Sequence, residues 1–134
     1  MHAFRTAVEA GDFAALGDLL AEDVVFRSPV AFTPYEGRPV VAAILRGVGR
    51  VFTDFRYVRE LEDADAHGSA LVFETYVDGT SLHGIDLIRT DDAGLISELT
   101  VMVRPLSAAT ALAAAMGAQF PQIQAEAATD MTRE

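Results

Sequence analysis

The apolar positions change period once along the chain, near Asp54. Before that point they recur at helical spacing. Phe4 and Val8 stand four apart and predict a short helix over 2–10, ended by Gly11. Asp12 is placed to cap a second short helix with Phe13, Leu16, Leu19 and Leu20 on one face. Val24-Val25-Phe26 reads as a brief strand. Residues 28–39, with prolines at 29, 34 and 39 and a glycine at 37, read as irregular chain. Pro39 suits the start of a third helix, whose stripe is Val41, Ile44, Leu45, Val48, Val51 and Phe52. Gly47 and Gly49 weaken that helix by about 1 kcal/mol each relative to alanine, unless they serve close packing.

After Asp54 the period is two. Residues 55–64, 69–77, 80–89 and 95–104 predict four strands, joined by turns at 65–68, 78–79 and 91–94 that are rich in Asp and end in Gly. Those are hairpin residues, so the strands form an antiparallel meander. Pro105 ends it. Ser107 caps an alanine-rich helix carrying Leu112 and Met116, and the pattern fades after Phe120-Pro121. The expectation is one domain over 1–120 and a loose tail over 121–134. Helices followed by a run of strands give an α+β fold: a bent antiparallel sheet wrapped around N-terminal helices, with a C-terminal helix.

Alternation sorts the strand residues into two faces. Leu82, Gly84, Asp86 and Ile88 share one; His83, Ile85, Leu87 and Arg89 share the other. Hairpin pairing sets Leu71, Phe73, Thr75 and Val77 beside Asp86 on one side, and Ser97, Leu99, Val101 and Val103 on the other. This face is apolar apart from Asp86, Thr75 and Ser97, and we assign it to the helices. Burying even a milder polar group without a partner costs roughly 2–7 kcal/mol, and a carboxylate more. Asp86 is thus the acid of a pocket, a structural acid bonded to helix ends, or a sign that the face is misassigned. The first is our reading. In a pocket, desolvation raises its pKa, and the protonated acid can donate to a ligand carbonyl. His83 points to the opposite face, near Glu74 and Tyr76, unless a bulge at Gly84 turns it. Tyr57 either reaches a ligand or fills the outer face.

That outer face is not polar either: Val72, Tyr76, Ile85, Leu87 and Met102 mix with Glu74, His83, Glu98 and Thr100. A sheet apolar on both sides needs two covers, so a homodimer through this face is expected. The net charge of −10 argues against nucleic acid and anionic membrane surfaces. The chain has no cysteine, which excludes disulfides and thiolate chemistry. No leader opens it and no apolar run nears the ~20 residues of a membrane helix, so a cytoplasmic protein is expected. No His, Asp or Glu pair has ligand spacing on a common face, so a metal is not expected, and no cofactor is implied.

Five segments carry a likeness to a known family: Ala10-Gly11-Asp12-Phe13, Leu20 to Phe26, Glu36-Gly37-Arg38-Pro39, Gly84-Ile85-Asp86 and Asp91 to Ile96. In order and interval, over residues 2–105, the chain resembles the nuclear transport factor 2-like superfamily, within it the SnoaL-like and ketosteroid isomerase-like proteins. The resemblance implies a cone-shaped fold enclosing one pocket for a small apolar ligand or substrate. In ketosteroid isomerases a tyrosine and a protonated aspartic acid hold the oxyanion while a second aspartate moves the proton. By resemblance the protonated acid falls on Asp86, the base's place on Ser28 and the tyrosine's on Phe4. Limonene epoxide hydrolase-like members carry Arg-x-Asp on this strand; here Gly84 stands at the arginine's place, and 99–103 brings no second carboxylate. The site expected is Asp86 as the catalytic acid, walled by Phe4, Phe26, Ser28, Tyr35, Phe73, Thr75, Leu99 and Val101. Two functions follow. One is an isomerase, cyclase or hydrolase acting on an apolar oxygenated substrate. The other is a ligand-binding or assembly module that has lost the chemistry.

Overall fold

The structure, a computed structural model, describes residues 2–133, with side chains to residue 130; Met1 and Glu134 lie outside it. Helix α1 is Ala3–Glu9. The second expected helix forms as a 3-10 helix, Phe13–Leu19, begun by Asp12, whose side chain accepts from the Ala15 N–H at 3.2 Å. Strand β1, Leu20–Arg27, starts earlier than the apolar triplet suggested, because Leu20 and Ala21 are buried too. Then come β2 (Tyr35–Glu36), α2 (Arg38–Val51, with Pro39 in its first turn), β3 (Thr53–Glu62), β4 (Gly68–Val77), β5 (Thr80–Thr90), β6 (Ile96–Arg104) and α3 (Leu106–Arg133).

The six strands lie in the order β2-β1-β6-β5-β4-β3, and β3 to β6 are the antiparallel meander. Its tight turn has positive φ at both Asp78 and Gly79, the backbone that matches the twist of paired strands. One pair departs from antiparallel order: β1 runs parallel to β6, while short β2 returns antiparallel beside β1. The inner face packs on the helices. Leu71, Phe73, Thr75, Val77, Leu82, Asp86 and Ile88 are all buried there. Ser97 is the exception to the expected face. The β5–β6 register shifts beside Thr90, so Ile96 is buried instead, and the Ser97 hydroxyl donates to the Arg89 carbonyl at 3.2 Å.

The loose tail expected over 121–134 is corrected: residues 121–133 continue α3. Pro121 removes one helical hydrogen bond, but tertiary packing outweighs that. Ile123 and Ala127 are buried. Arg46 of α2 donates to Glu126 at 2.9 Å and to Asp130 at 3.0 Å, and Arg50 to Glu126 at 3.0 Å and Gln119 at 2.7 Å. Gly47 lets α3 come close, since a Cβ there would stand 2.7 Å from Ile123 Cδ1. We expect Ile123→Ala to cost about 2–4 kcal/mol, the usual loss for a buried aliphatic truncated to alanine. Urea unfolding checks it; an unchanged midpoint would mean that this end of α3 is undocked.

Candidate functional site

Between the inner face of the sheet and the helices lies a cavity of about 210 Å³. Its wall is overwhelmingly aliphatic and aromatic. Phe52, Phe55, Phe73 and Tyr57 form one side, with the Phe55 and Phe73 rings stacked at 4.9 Å between centroids and Tyr57 edge-on to Phe55 at 4.9 Å. Leu112, Met116 and Phe120 of α3 form part of the opposite side. Val30, Ala31, Ala113 and Gly117 are exposed lining residues and mark its mouth.

Asp86 sits mid-strand in β5 and is 7% exposed. Its Oδ2 accepts a hydrogen bond from the Tyr57 hydroxyl at 3.1 Å. Tyr57 points inward because β3 shifts register against β4 on both sides of it, which brings it opposite Phe73. Burial pushes the Asp86 carboxyl up from the usual carboxylate range to about 7, and the Tyr57 hydrogen bond pulls back part of that rise. Tyr57 is pushed well above an ordinary phenol, first by burial and then by the charge of Asp86. The Arg5 guanidinium lies over the Tyr57 ring, 5.6 Å from its centroid.

Gly84 explains how the wall closes. It pairs in unbroken register with Phe73 on β4 and Val103 on β6, so there is no bulge, and His83 stays on the outer face opposite Glu74. A Cβ at Gly84 would run into the Phe73 ring. The missing side chain is the space that ring occupies.

Of the expected site residues, Asp86, Phe4, Phe26, Ser28, Tyr35, Phe73 and Val101 line the cavity. Thr75 and Leu99 do not. Thr75 turns its hydroxyl to the Thr53 carbonyl at 2.7 Å, and Leu99 is wholly buried in the core. Ser28 Oγ accepts from the Val30 N–H at 3.1 Å, a local turn contact at the mouth. The residue left open in the sequence was Tyr57, and its alternation with Phe55 was the available signal. Phe4 brings no phenol to the cavity, whereas Tyr57 of β3 does. Asp86 is the only acid among the described lining residues, and Ser28, Tyr35 and Tyr57 bring the side-chain hydroxyls. Among the described residues no three His, Cys, Asp or Glu side chains are grouped to hold a metal ion, and no helix is long and apolar enough to cross a membrane.

The family model of the SnoaL-like domain matches residues 1–99. Among solved structures, a steroid delta-isomerase from Pseudomonas aeruginosa is 43% identical, with a TM-score of 0.86 over 91% of this chain and 89% of that one. A protein with a cystatin-like fold from Silicibacter pomeroyi is 35% identical, with a TM-score of 0.81 over 92% of this chain and 90% of that one. The epoxide hydrolase/cyclase-like enzyme SalBIII of salinomycin pyran-ring formation shares the fold at 16% identity, with a TM-score of 0.64 over 77% of this chain and 86% of that one. No curated protein matches the sequence.

Proposed function

The chain belongs to the SnoaL-like domain family, and from that membership we propose an enzyme that shifts a proton on an apolar, carbonyl-bearing small molecule held against Asp86 and Tyr57. The observation that carries the reading is the Tyr57–Asp86 pair, the one acid of the described lining and its hydroxyl partner, in a mainly apolar cavity. A carboxyl titrating at about 7 is divided between its two forms near neutrality. Such a group both takes and returns a proton efficiently. Ordinary bond lengths put a carbonyl oxygen about 2.4 Å from its neighbouring α-carbon. The 3.1 Å between Tyr57 Oη and Asp86 Oδ2 lets the two groups address those two atoms together.

The steps balance without a second acid. Asp86, ionised, takes the α-proton; the C–H pair moves into the enolate and charge gathers on the substrate oxygen. Protonated Asp86 is a weaker acceptor, so the Tyr57 hydroxyl turns to that oxygen. Where the substrate is a β,γ-unsaturated ketone the enolate extends into a dienolate; the proton returns to its γ-carbon, and the double bond has moved into conjugation. The likeness to a steroid delta-isomerase supports a rigid, polycyclic unsaturated ketone as substrate, and the aromatic wall suits flat apolar rings.

The test is a β,γ-unsaturated steroid ketone as probe, its conjugation followed by ultraviolet absorbance. In parallel, a saturated ketone in D2O reports exchange at the α-carbon. Catalysis of either by the wild-type chain, lost in Asp86→Asn, is expected. Tight binding of both probes without conjugation or exchange would instead establish a binding module, a reading favoured by the single acid in the cavity.

The outer sheet face supports a second proposal, a homodimer. Leu87 is 38% and Met102 54% exposed there, between the ion pairs Arg27–Glu98 and Arg56–Glu74. Light scattering should give twice the chain mass, and Met102→Glu with Leu87→Glu should give a monomer. A wild-type monomer would remove this proposal.

A further inference from the structure

The mouth of the cavity holds two polar groups that the proton shift does not use. Tyr35 lines the cavity from β2, its ring held between Phe26 and Phe120 at centroid distances of 6.4 and 6.0 Å. Among the described residues its hydroxyl has no hydrogen-bond partner, although the ring is half-buried. The neighbouring turn of α3 supplies the second group. Pro121 lies inside that helix. Proline has no N–H, so the carbonyl four residues earlier loses its helical donor, and the ring pushes that carbonyl aside. That residue is Gly117, which lines the cavity, is exposed, and would have open space around a Cβ. An acceptor that lacks its i+4 helical donor, on a residue with no side chain, therefore stands one turn from the Phe120 ring that packs on Tyr35.

Building on the reading of Asp86 and Tyr57 as the carbonyl end of the site, we infer that Tyr35 Oη and the Gly117 carbonyl form a second subsite, which takes a hydroxyl group at the far end of the substrate. A hydroxyl suits both partners: it donates to the Gly117 carbonyl and accepts from the Tyr35 O–H. A carbonyl there would satisfy Tyr35 alone, and a carboxylate would face the Gly117 oxygen with no cation among the described lining residues to balance it. The substrate class narrows to an apolar, rigid hydroxy-ketone, its two oxygens at opposite ends of the body.

The experiment compares two probes by calorimetry: a polycyclic ketone with a hydroxyl on the ring farthest from the carbonyl, and the same ketone with hydrogen there. The wild-type chain should prefer the hydroxy-ketone by about five- to tenfold, the range of one or two ordinary hydrogen bonds. Tyr35→Phe keeps the ring and should reduce the preference to about twofold. Pro121→Ala restores the helical N–H to the Gly117 carbonyl and should also reduce it, with the fold kept or strengthened. Equal affinity of the two probes for the wild-type chain would overturn the subsite and leave the Asp86 reading standing. An unchanged preference in both variants would also overturn it. If neither probe binds, both readings fall together.

Discussion

Asp86→Asn is expected to slow the chemistry and stabilise the fold at once. Losing a positioned base that takes and returns a proton should lower turnover by about 10²- to 10⁴-fold. The stability change has the opposite sign. In the unfolded chain the carboxyl ionises near 3.8; folded, burial raises it to about 7. Between those values the folded chain holds a proton that the unfolded chain has released, so stability falls as pH rises from about 4 to about 7 and is flat above. A rise of about three pK units corresponds to roughly 4 kcal/mol. Asparagine keeps an oxygen for the Tyr57 hydroxyl and has no charge to desolvate. The variant should therefore unfold at higher urea than wild type at pH 8, with the gap nearly closed at pH 4. Parallel pH curves for the two proteins would show that Asp86 ionises freely, and the proton-shift reading would lose a base matched to neutral pH.

Gly84→Ala should cost about 1–3 kcal/mol, the usual range for forcing extra volume into a packed core. The added methyl meets the Phe73 ring, which is 1% exposed and boxed by Phe52, Phe55 and Tyr57 at centroid distances of 5.8, 4.9 and 6.3 Å. A ring held on three sides cannot swing clear, so it moves into the cavity or the strands part. Ligand affinity should fall together with the urea midpoint. Stability equal to wild type would mean that the ring has room to yield. Gly84 is thus required by packing: its neighbour Phe73 fills the space a side chain would need.

Much of this architecture was legible from local chemistry. Asp78-Gly79 between two alternating runs announced the hairpin, and Asp86 between Leu82 and Ile88 announced a buried acid, because both signals are read within a few residues. What was missed depended on contacts distant in sequence. Tyr57 was left open although it alternates with Phe55, because β3 shifts its pairing with β4 on both sides of it, and that pairing is a contact distant in sequence. Ser97 was misplaced by the same kind of shift in β6. The helix past Pro121 was missed because its stability comes from Arg46, Gly47 and Arg50, some eighty residues earlier. Thr75 and Leu99 were given the right face but the wrong depth, because alternation fixes which side a residue faces and not what lies above it.

Asp86 and Tyr57 are anchored on strands, while part of the cavity wall is carried on α3 and pinned to α2 by Arg46 and Arg50. On the proposed reading, part of the selectivity is therefore carried by one contiguous helix, apart from Asp86 and Tyr57. Grafting a different closing helix, with the Glu126 and Asp130 anchors retained, should redirect which molecule is accepted without rewriting how it is transformed.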